Sequence, residues 1–518
     1  MNPTRLDAIQ LSVFASRVAA VCEEMGAVLR RSAFSPNIRD RLDLSCALFD
    51  PAGRLCAQAA HIPVHLGSMA YAMRDLVSGT DWAPGDMLIL NDPYLGGTHL
   101  PDVTLIAPVF RDDRLLGFVA NRAHHADIGA DTPGSMPLSR RLDEEGLVIP
   151  PARLLHRGER DAALWTRITS ATANPEQAQG DFAAQISANR SGVQRVQELA
   201  GRMGTGAYLD GLVQLNEYAA QLARATLADI PDGEYCYSDC LDDDGQGHEG
   251  LEIRLRMQVA GHRVVMDFSG TAAQVRGNVN CPLSVTAAAV YYVFRCLMPP
   301  ETPAAAGSFR DIALQVPAGC LLNARRPAAV AAGNVETSSR VVDVVLGALA
   351  QALPDRIPAA SQGTMNNLAM GARGTGPDWD YYETIGGGMG AGRDHDGLSG
   401  VQSHMTNTLN TPVEVLEMTW PLRVHRYALR RGSGGAGMHR GGDGLVREFE
   451  FLAPAAVTLL TERRLRPPWG LAGGGPGQCG RNRLNGTRLP GKCRLQVEAG
   501  DRLRIETPGG GGWGKPVG

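Results

Sequence analysis

A stretch of alternating apolar and polar positions in the first third of the chain predicts a β-hairpin. Residues 103–110 alternate like a strand, residues 111–114 have the charged composition of a turn, and residues 115–120 resemble a returning strand. Because residues directly opposite each other in an antiparallel pair are neighbours, Asp102 is expected opposite residues 123–124. The pattern therefore brings the ends of two strands together at one edge of a sheet.

Helical spacing of apolar residues occurs in three other places. Residues from about 5 to 31 form the first predicted helix, with Thr4 as its N-cap. A long helical region runs from about 181 to 229, with a break at 201–206. A third helix is predicted over 338–353, after the string GNVET.

Strand patterns fill most of the remaining chain. Residues 50–53 form a turn between two predicted strands, and residues 252–271 predict a hairpin with Ala-Gly-His at its tip. The 62 glycines exceed the usual share of about 7% and cluster in late turns and loops. We therefore expect a mixed α+β fold with largely antiparallel sheets and a long helical insert, and not a doubly wound nucleotide fold.

Three regions are expected within a single integrated unit. Residues 1–180 form an α/β region that carries the first hairpin, 181–230 a helical connector, and 231–518 a β-rich C-terminal region.

Charge and hydropathy exclude two classes of partner. The net charge is −4 and 20% of the residues are charged, so no strong field favours nucleic acid or a membrane surface. The sequence contains no run of about 18 apolar residues, and its first ten residues lack the apolar core of a signal peptide. The expected location is the cytoplasm, which the scattered cysteines also fit.

Lysine is nearly absent, and this limits the chemistry. Only Lys492 and Lys515 occur, so a Schiff-base or general-base lysine is not expected. The string GTRLPGKC at 486–493 matches a phosphate loop except at its last position, but the residues after it alternate like strands. We interpret it as a β-turn, and we expect no ATP site of this class in the chain.

The ten cysteines do not form a metal-binding motif. Only Cys236 and Cys240 lie close in sequence, and a structural zinc site needs a second pair. Most of the cysteines occur in apolar runs and are interpreted as small core residues. The acidic run at 242–244, with His248 and Glu249 after it, lacks calcium-loop spacing and is interpreted as a solvated turn.

The ends of the first predicted hairpin carry metal-ligand chemistry. His99 lies three residues before Asp102 in a Gly-rich segment, and His124 follows the returning strand. Two imidazoles and a carboxylate at one sheet edge are ligands for a divalent metal. The alternative is a polar sheet end with a hydrogen-bonded histidine. His61 and His65 either line the same pocket or are structural, and Pro63 between them argues against a regular helix there.

Long strings in the sequence resemble one protein family. They include NDPYLGGTHLPDVTLIAPVF at 91–110, ANRAHHADIG at 120–129, GNVETS at 333–338 and HMTNTLNTPVEVLE at 404–417. Together they resemble the B-type subunit of the hydantoinase, 5-oxoprolinase and acetone carboxylase group. The chain departs from that group's pattern at 305–312, which puts one asparagine contact of the group in doubt.

The resemblance implies a set of site residues. It carries a metal-ligand role to Asp43, with Asp40 as the alternative, beside His99, Asp102 and His124. The expected metal is Zn²⁺ or Mn²⁺. The neighbouring His125 and Asp127 are candidates for proton shuttles, because a histidine beside a metal titrates near neutrality.

The resemblance also implies a function. The chain would be the metal-containing subunit of an ATP-dependent cyclic amide hydrolase, acting on a small molecule. ATP would act only through a hydantoinase A-type subunit, which phosphorylates the amide oxygen in a hetero-oligomer, expected to be a heterotetramer. The alternatives are a subunit of an ATP-dependent ketone carboxylase and a non-catalytic scaffold for the A-type subunit. The carboxylase subunit is expected to be longer.

A second group of polar residues lies in the C-terminal half. It either lines another wall of the active cavity or contacts a partner subunit. Its members are Glu336, Asn366, Asn367, Glu383, His404, Asn407, Glu414 and Glu417.

Overall fold

A computed structural model of the chain describes residues 6–374 and 378–516. Its α-helices are α1 (Ala8–Ser32), α2 (Pro36–Arg39), α3 (Pro63–Ser78), α4 (Ala162–Ser170), α5 (Pro175–Met203), α6 (Thr205–Ala228), α7 (Leu283–Leu297), α8 (Ser338–Ala352) and α9 (Val413–Thr419). No helix in the described ranges combines the length and the apolar character needed to span a membrane.

The strands form four sheets. They are β1 (Leu44–Phe49), β2 (Leu55–Ala60), β3 (Met87–Leu90), β4 (Asp102–Arg111), β5 (Arg114–His124), β6 (Ala152–His156), β7 (Glu159–Arg160), β8 (Gly233–Asp243), β9 (Glu249–Ala260), β10 (Arg263–Asp267), β11 (Ile312–Gln315), β12 (Asn367–Ala372), β13 (Trp379–Glu383), β14 (Leu422–Arg430), β15 (Gly444–Phe451), β16 (Ala455–Leu460), β17 (Arg481–Leu484), β18 (Thr487–Leu489), β19 (Lys492–Val497) and β20 (Arg502–Glu506). The strand orders are β2-β1-β5-β4-β3-β6-β7, β11-β10-β9-β8, β13-β12-β16-β19 and β14-β15-β20-β17-β18. The mixed α+β fold is confirmed, and its pairs are antiparallel except β10 with β11.

The seven-stranded sheet is covered on both faces. Along β1, Cys46 and Leu48 pack in the cluster that includes α1, α5 and α6, whereas Ala47 and Phe49 pack in the cluster that includes α3. This explains why every residue of β1 is buried. The strands that carry Asp102 and His124 therefore belong to a sheet that is packed on both faces.

The helix ends differ from the prediction in two places. Helix α1 begins at Ala8, where Asp7 and Gln10 form a reciprocal capping box, and the predicted cap Thr4 lies outside the described residues. The expectation that Pro63 prevents a helix is wrong. Pro63 occupies the first turn of α3, where a proline ring is tolerated because that turn's amides have no partner inside the helix.

Several predicted turns are confirmed. The long helical stretch breaks at Gly204, whose φ is 88°, and the predicted β9–β10 hairpin turns at Gly261, whose φ is 60°. The string at 486–493 forms β18 and the start of β19 and opens no helix, and Lys492 is buried against Glu462. The prediction that this string forms a turn in β structure is confirmed.

The acidic run at 242–244 is not the solvated turn that was expected. Asp242 is 1% exposed and accepts hydrogen bonds from the amides of Arg464 and Leu465. Asp244 is buried as well and accepts from the amide of Gly277. Buried backbone donors need acceptors, and these carboxylates supply them.

The cysteine prediction holds in part. Of the ten free cysteines, those at 22, 46, 56, 281 and 320 are buried, and those at 236 and 296 are exposed. The division into regions 1–180, 181–230 and 231–518 stays a prediction.

Candidate metal centre

Three buried side chains converge at the end of the β4–β5 hairpin. Nε2 of His99 and Nδ1 of His124 each lie 3.1 Å from Oδ1 of Asp102. The two nitrogens lie 3.2 Å apart. Within the described ranges, these three residues form the only group of three histidine, cysteine or carboxylate ligands at such close spacing. We refer to the three atoms as the donor triangle.

The backbone fixes the donor triangle. Asp102 opens β4 and pairs directly with His124 at the end of β5, as the alternation predicts. His99 lies one turn earlier, and its carbonyl oxygen accepts from the amide of Asp102 at 3.1 Å. In the preceding turn, Gly97 lets the chain pass close to Asn91, because a Cβ atom there would lie 2.4 Å from the carbonyl oxygen of Asn91.

The size of the donor triangle fits a divalent cation. Ligand atoms bonded at about 2.0–2.1 Å lie roughly 2.9 Å apart in octahedral and 3.4 Å apart in tetrahedral geometry. The observed separations of 3.1 and 3.2 Å lie between these values. Two imidazoles and a carboxylate are also ligands that Zn²⁺ and Mn²⁺ accept. The residues present therefore fit the implied metal.

A second layer of side chains orients Asp102. Its Oδ2 atom accepts a hydrogen bond from Thr98 Oγ1 at 2.5 Å and lies 3.3 Å from Nε2 of His65. Asn334 Nδ2 approaches the same oxygen at 3.4 Å. Since these three groups all contact Oδ2, Oδ1 is left for the two histidine ligands and a metal. Such outer partners hold a ligand in its working orientation.

Burial and mutual charge shift the pKa values of the three residues in different directions. Burial would raise the pKa of Asp102, but the neighbouring His99 and His65 hold that pKa well below its ordinary value. Burial lowers the pKa of His124. These shifts favour an ionised Asp102 and a neutral His124, which are the forms that bind metals. Burial would lower the pKa of His99, but the neighbouring Asp102 raises that pKa above its ordinary value, so a metal at His99 competes with a proton.

Asp43, and not Asp40, lies at the same cavity. Its side chain lines the cavity with the donor triangle, and its carbonyl oxygen accepts from the amide of His124 at 3.0 Å. Asp40 instead pairs with Arg39 at 3.0 Å and is partly exposed. Asp43 thus lines the cavity, but its carboxylate is not part of the group of ligand atoms within 4.8 Å of one another, which contains His99, Asp102 and His124.

His125 and Asp127 lie elsewhere. Successive strand residues point to opposite sides, and the His125 ring stacks on Phe182 and contacts Gln185 at 3.0 Å. Both oxygens of Asp127 accept hydrogen bonds, from Ser135 and from the amide of Ala173 among others. Neither residue lines the cavity. The geometry gives no support to the expected proton-shuttle roles.

The two histidines around Pro63 have different positions. His65 lines the cavity and contacts both Asp102 and Ser45. His61 packs against Gly26 of α1. One of the pair thus belongs to the candidate site, and the other belongs to the packing between α1 and the sheet.

Some members of the C-terminal group of polar residues are buried, and others are exposed. Glu336, Asn366, Asn367 and Glu383 are fully buried in a hydrogen-bonded interior. Asn407, Glu414 and Glu417 are exposed, and His404 is partly buried with its ring edge-on to that of Tyr292. None of them lines the cavity.

Other residues complete the cavity and were not singled out from the sequence. They are Ile62, Val64, Asn334, Val335, Met365, Tyr382 and the threonines at 384, 406 and 408. The Tyr382 ring stacks on His124 with centroids 4.7 Å apart. Two of the strings that carried the family resemblance, GNVETS and HMTNT, contain Asn334 and Thr406, so a signal for them was present. The cavity has a volume of about 20 Å³, enough for about one water molecule.

Comparison with known proteins decides the family. A model of the family described as "Hydantoinase B/oxoprolinase" matches residues 7–516. The chain belongs to this family. It is 41% identical over 542 residues to 5-oxoprolinase 1 of Arabidopsis thaliana, with 99% of this chain and 42% of that protein covered. It is 31% identical over 541 residues to a putative D-/L-hydantoinase B-type subunit of Pseudomonas sp. strain NS671, with 99% and 91% covered.

Two solved structures share the fold of this hydantoinase B/oxoprolinase family member. An ATP-dependent caprolactamase from Pseudomonas jessenii matches with a TM-score of 0.92 and 28% identity, and the match covers 99% of this chain and 92% of the other. An acetone carboxylase matches with a TM-score of 0.88 and 18% identity, over 99% and 76%. The second likeness concerns the fold alone. The chain spans less than half the length of the Arabidopsis relative.

Proposed function

We propose that this chain is the metal-containing subunit of an ATP-dependent hydrolase that opens cyclic amides. The donor triangle of His99, Asp102 and His124, buried in a hydantoinase B/oxoprolinase family member, is the observation that carries the proposal. The names of the relatives support the substrate class, since they include an oxoprolinase, a hydantoinase and a caprolactamase.

The metal would be held by Asp43, His99, Asp102 and His124. A divalent ion with an open position acidifies water and polarises a carbonyl group. The carboxylate of Asp102 supplies negative charge to balance the cation. Tyr382 covers one face of the His124 ring and restricts solvent there.

His65 and Thr98 are positioning residues in this proposal. They contact Oδ2 of Asp102 and so keep Oδ1 turned to the histidines. Each of these side chains is at most 1% exposed, so water does not compete for their hydrogen bonds. The site is built before any substrate arrives, which lowers the cost of reaching the transition state.

ATP would act on a partner. Amide resonance makes the carbonyl group a poor electrophile, so phosphorylation of the amide oxygen would activate it. The string at 486–493, which resembles a phosphate loop, lies in β structure and opens no helix among the described residues. The proposed partner is an A-type subunit in a hetero-oligomer. The similarity of this chain to a hydantoinase B-type subunit supports that arrangement. The expected cytoplasmic location stays a prediction.

The test is reconstitution with an A-type subunit from the same organism. Ring opening of hydantoin, 5-oxoproline and caprolactam is measured with each protein alone and with both, with and without ATP. We expect ring opening only when both proteins and ATP are present. Turnover by this chain alone with ATP would contradict the division of labour, and turnover without ATP would indicate an ordinary metal amidohydrolase.

Two other outcomes identify the alternatives. If the complex consumes ATP and fixes bicarbonate onto a ketone, the chain is a carboxylase subunit. If Asp102→Asn in this chain leaves ring opening unchanged, the chain is a scaffold. A matched control is His395→Ala, because His395 is exposed and lies outside the cavity.

A further inference from the structure

Asn334 places a buried amide group beside the donor triangle. The residue is 3% exposed and lines the same cavity as His99, Asp102 and His124. It lies on a single π-helical turn, Gly333–Thr337, directly before α8. Such turns are rare and occur often at functional sites, because the extra residue changes the direction of a side chain.

The two ends of the Asn334 amide have different surroundings. Nδ2 lies 3.4 Å from Oδ2 of Asp102. Oδ1 has no hydrogen-bond partner within the described part of the chain. Because the Asp102 carboxylate is an acceptor only, a flipped amide would place two acceptors together. The orientation with Oδ1 free is therefore the one that the neighbours favour.

An unpaired buried amide oxygen needs a donor. Leaving such an oxygen unsatisfied costs about 1–3 kcal/mol, so native buried groups of this kind are nearly always paired with protein or water. The adjoining cavity of about 20 Å³ holds roughly one water molecule. A water molecule donates two hydrogen bonds, and the Asn334 oxygen is a suitable acceptor for one of them.

We infer that Asn334 is a positioning residue for the attacking water in the candidate metal centre. Its amide oxygen accepts one hydrogen bond from that water and thereby directs a lone pair of the water oxygen away from Asn334. An amide oxygen is too weak a base to take the proton at neutral pH, so the residue orients the water without changing its protonation. The identity of the reaction rests on the proposed function, but the position of the water does not.

The first test is structural. A crystal structure of the metal-loaded chain is expected to contain an ordered water about 2.7–3.2 Å from Asn334 Oδ1. The same structure of Asn334→Leu, which keeps the volume and removes the acceptor, is expected to lack this water at that position. Absence of the water in the wild type, or its unchanged position in the variant, would overturn the inference. This test is independent of whether any ring is opened.

The second test uses the reconstituted complex and two variants. Asn334→Leu removes both the acceptor and the donor to Asp102, whereas Asn334→Asp keeps an acceptor and removes the donor. We expect Asn334→Leu to lower kcat by about two- to tenfold, as the loss of one hydrogen bond predicts, with KM unchanged. ADP formed per ring opened should rise, because activation outpaces attack. Asn334→Asp keeps an acceptor for the water but sets a second carboxylate beside Asp102, so its coupling should lie between that of the wild type and that of Asn334→Leu.

The metal content of the variants distinguishes two roles of Asn334, orienting the water or only supporting Asp102. Both variants lose the contact to Oδ2 of Asp102, so metal content is compared at saturating free metal, where both should retain the wild-type amount. If the two variants lose metal and activity equally, Asn334 acts only through Asp102 and the inference fails. If the wild-type complex opens no ring while the ordered water is present, the proposed function is contradicted. The inference that Asn334 positions this water is then still supported.

Discussion

Replacing Asp102 with Asn should dismantle the metal centre while leaving most of the fold in place. The carboxylate contacts both histidine nitrogens through Oδ1 at 3.1 Å and accepts from Thr98 through Oδ2. A neutral amide loses the charge and turns an NH₂ group toward either the histidines or Thr98, so donors meet donors on one side. Both consequences act on the bound metal.

The expected magnitude follows from the position of Asp102. Outer partners of metal ligands typically contribute about 10–100-fold to affinity, so loss of a ligand that also carries the charge should cost at least about 100-fold. This corresponds to about 2.8 kcal/mol at about 1.4 kcal/mol per tenfold change.

The assay is competition with a chelator at known free Zn²⁺ or Mn²⁺, with circular dichroism to confirm folding. His395→Ala is the matched control, since this exposed histidine should not change the affinity. An Asp102→Asn chain that is folded and binds the metal as tightly as the wild type would refute the reasoning.

Three other changes test the surroundings of the site. His65→Ala should weaken metal binding by about 10–100-fold in the same chelator assay. Gly97→Ala should lower the unfolding midpoint in denaturant, because its Cβ would lie 2.4 Å from a carbonyl oxygen, whereas Gly206→Ala, with open space around it, should be neutral or slightly stabilising; equal effects would contradict this. Burial raises the pKa of Glu336 to about 7, so this side chain binds a proton more tightly in the folded protein than in the unfolded chain. Glu336→Gln should therefore stabilise the fold above pH 7, by at most about 3 kcal/mol. Near pH 4.5 the same substitution should have little effect on stability. A variant with the same gain in thermal midpoint at both pH values would contradict the assignment.

The sign of the Glu336 effect follows from linkage. A carboxyl group whose pKa is higher in the folded state than in the unfolded state favours folding when protonated. Stability therefore falls as pH rises from the unfolded value toward the folded value of about 7. Burial is the cause of the raised pKa, since the Glu336 side chain is buried and its Oε2 has no hydrogen-bond partner among the described residues.

The central hairpin could be predicted because its pattern is local. Alternation over 103–120 sets the strands, and the turn sets the register that places Asp102 opposite His124. His99 could be predicted as a metal ligand because it lies only three residues before Asp102 in the sequence. Asp43 needed the family resemblance, because only tertiary pairing of β1 with β5 brings it close.

The remaining features depend on contacts that sequence spacing does not contain. The His125 side chain points away from the cavity because successive strand residues alternate in direction. Its ring stacks on Phe182 of α5, a helix that lies far from His125 in the sequence. Asn334 and Tyr382 reach the cavity from the C-terminal half. The acidic run at 242–244 looked solvated, but the segment around Arg464 covers it. Each of these outcomes was decided by packing between distant segments.

Metal content of the purified chain tests the central claim most directly. The chain is purified without chelators and analysed for metals by mass spectrometry, beside His99→Ala and Asp102→Asn. The donor triangle predicts about one Zn²⁺ or Mn²⁺ per wild-type chain and a large loss in both variants. A folded wild-type chain that contains no divalent metal and takes none up, or variants that retain the full amount, would contradict the account.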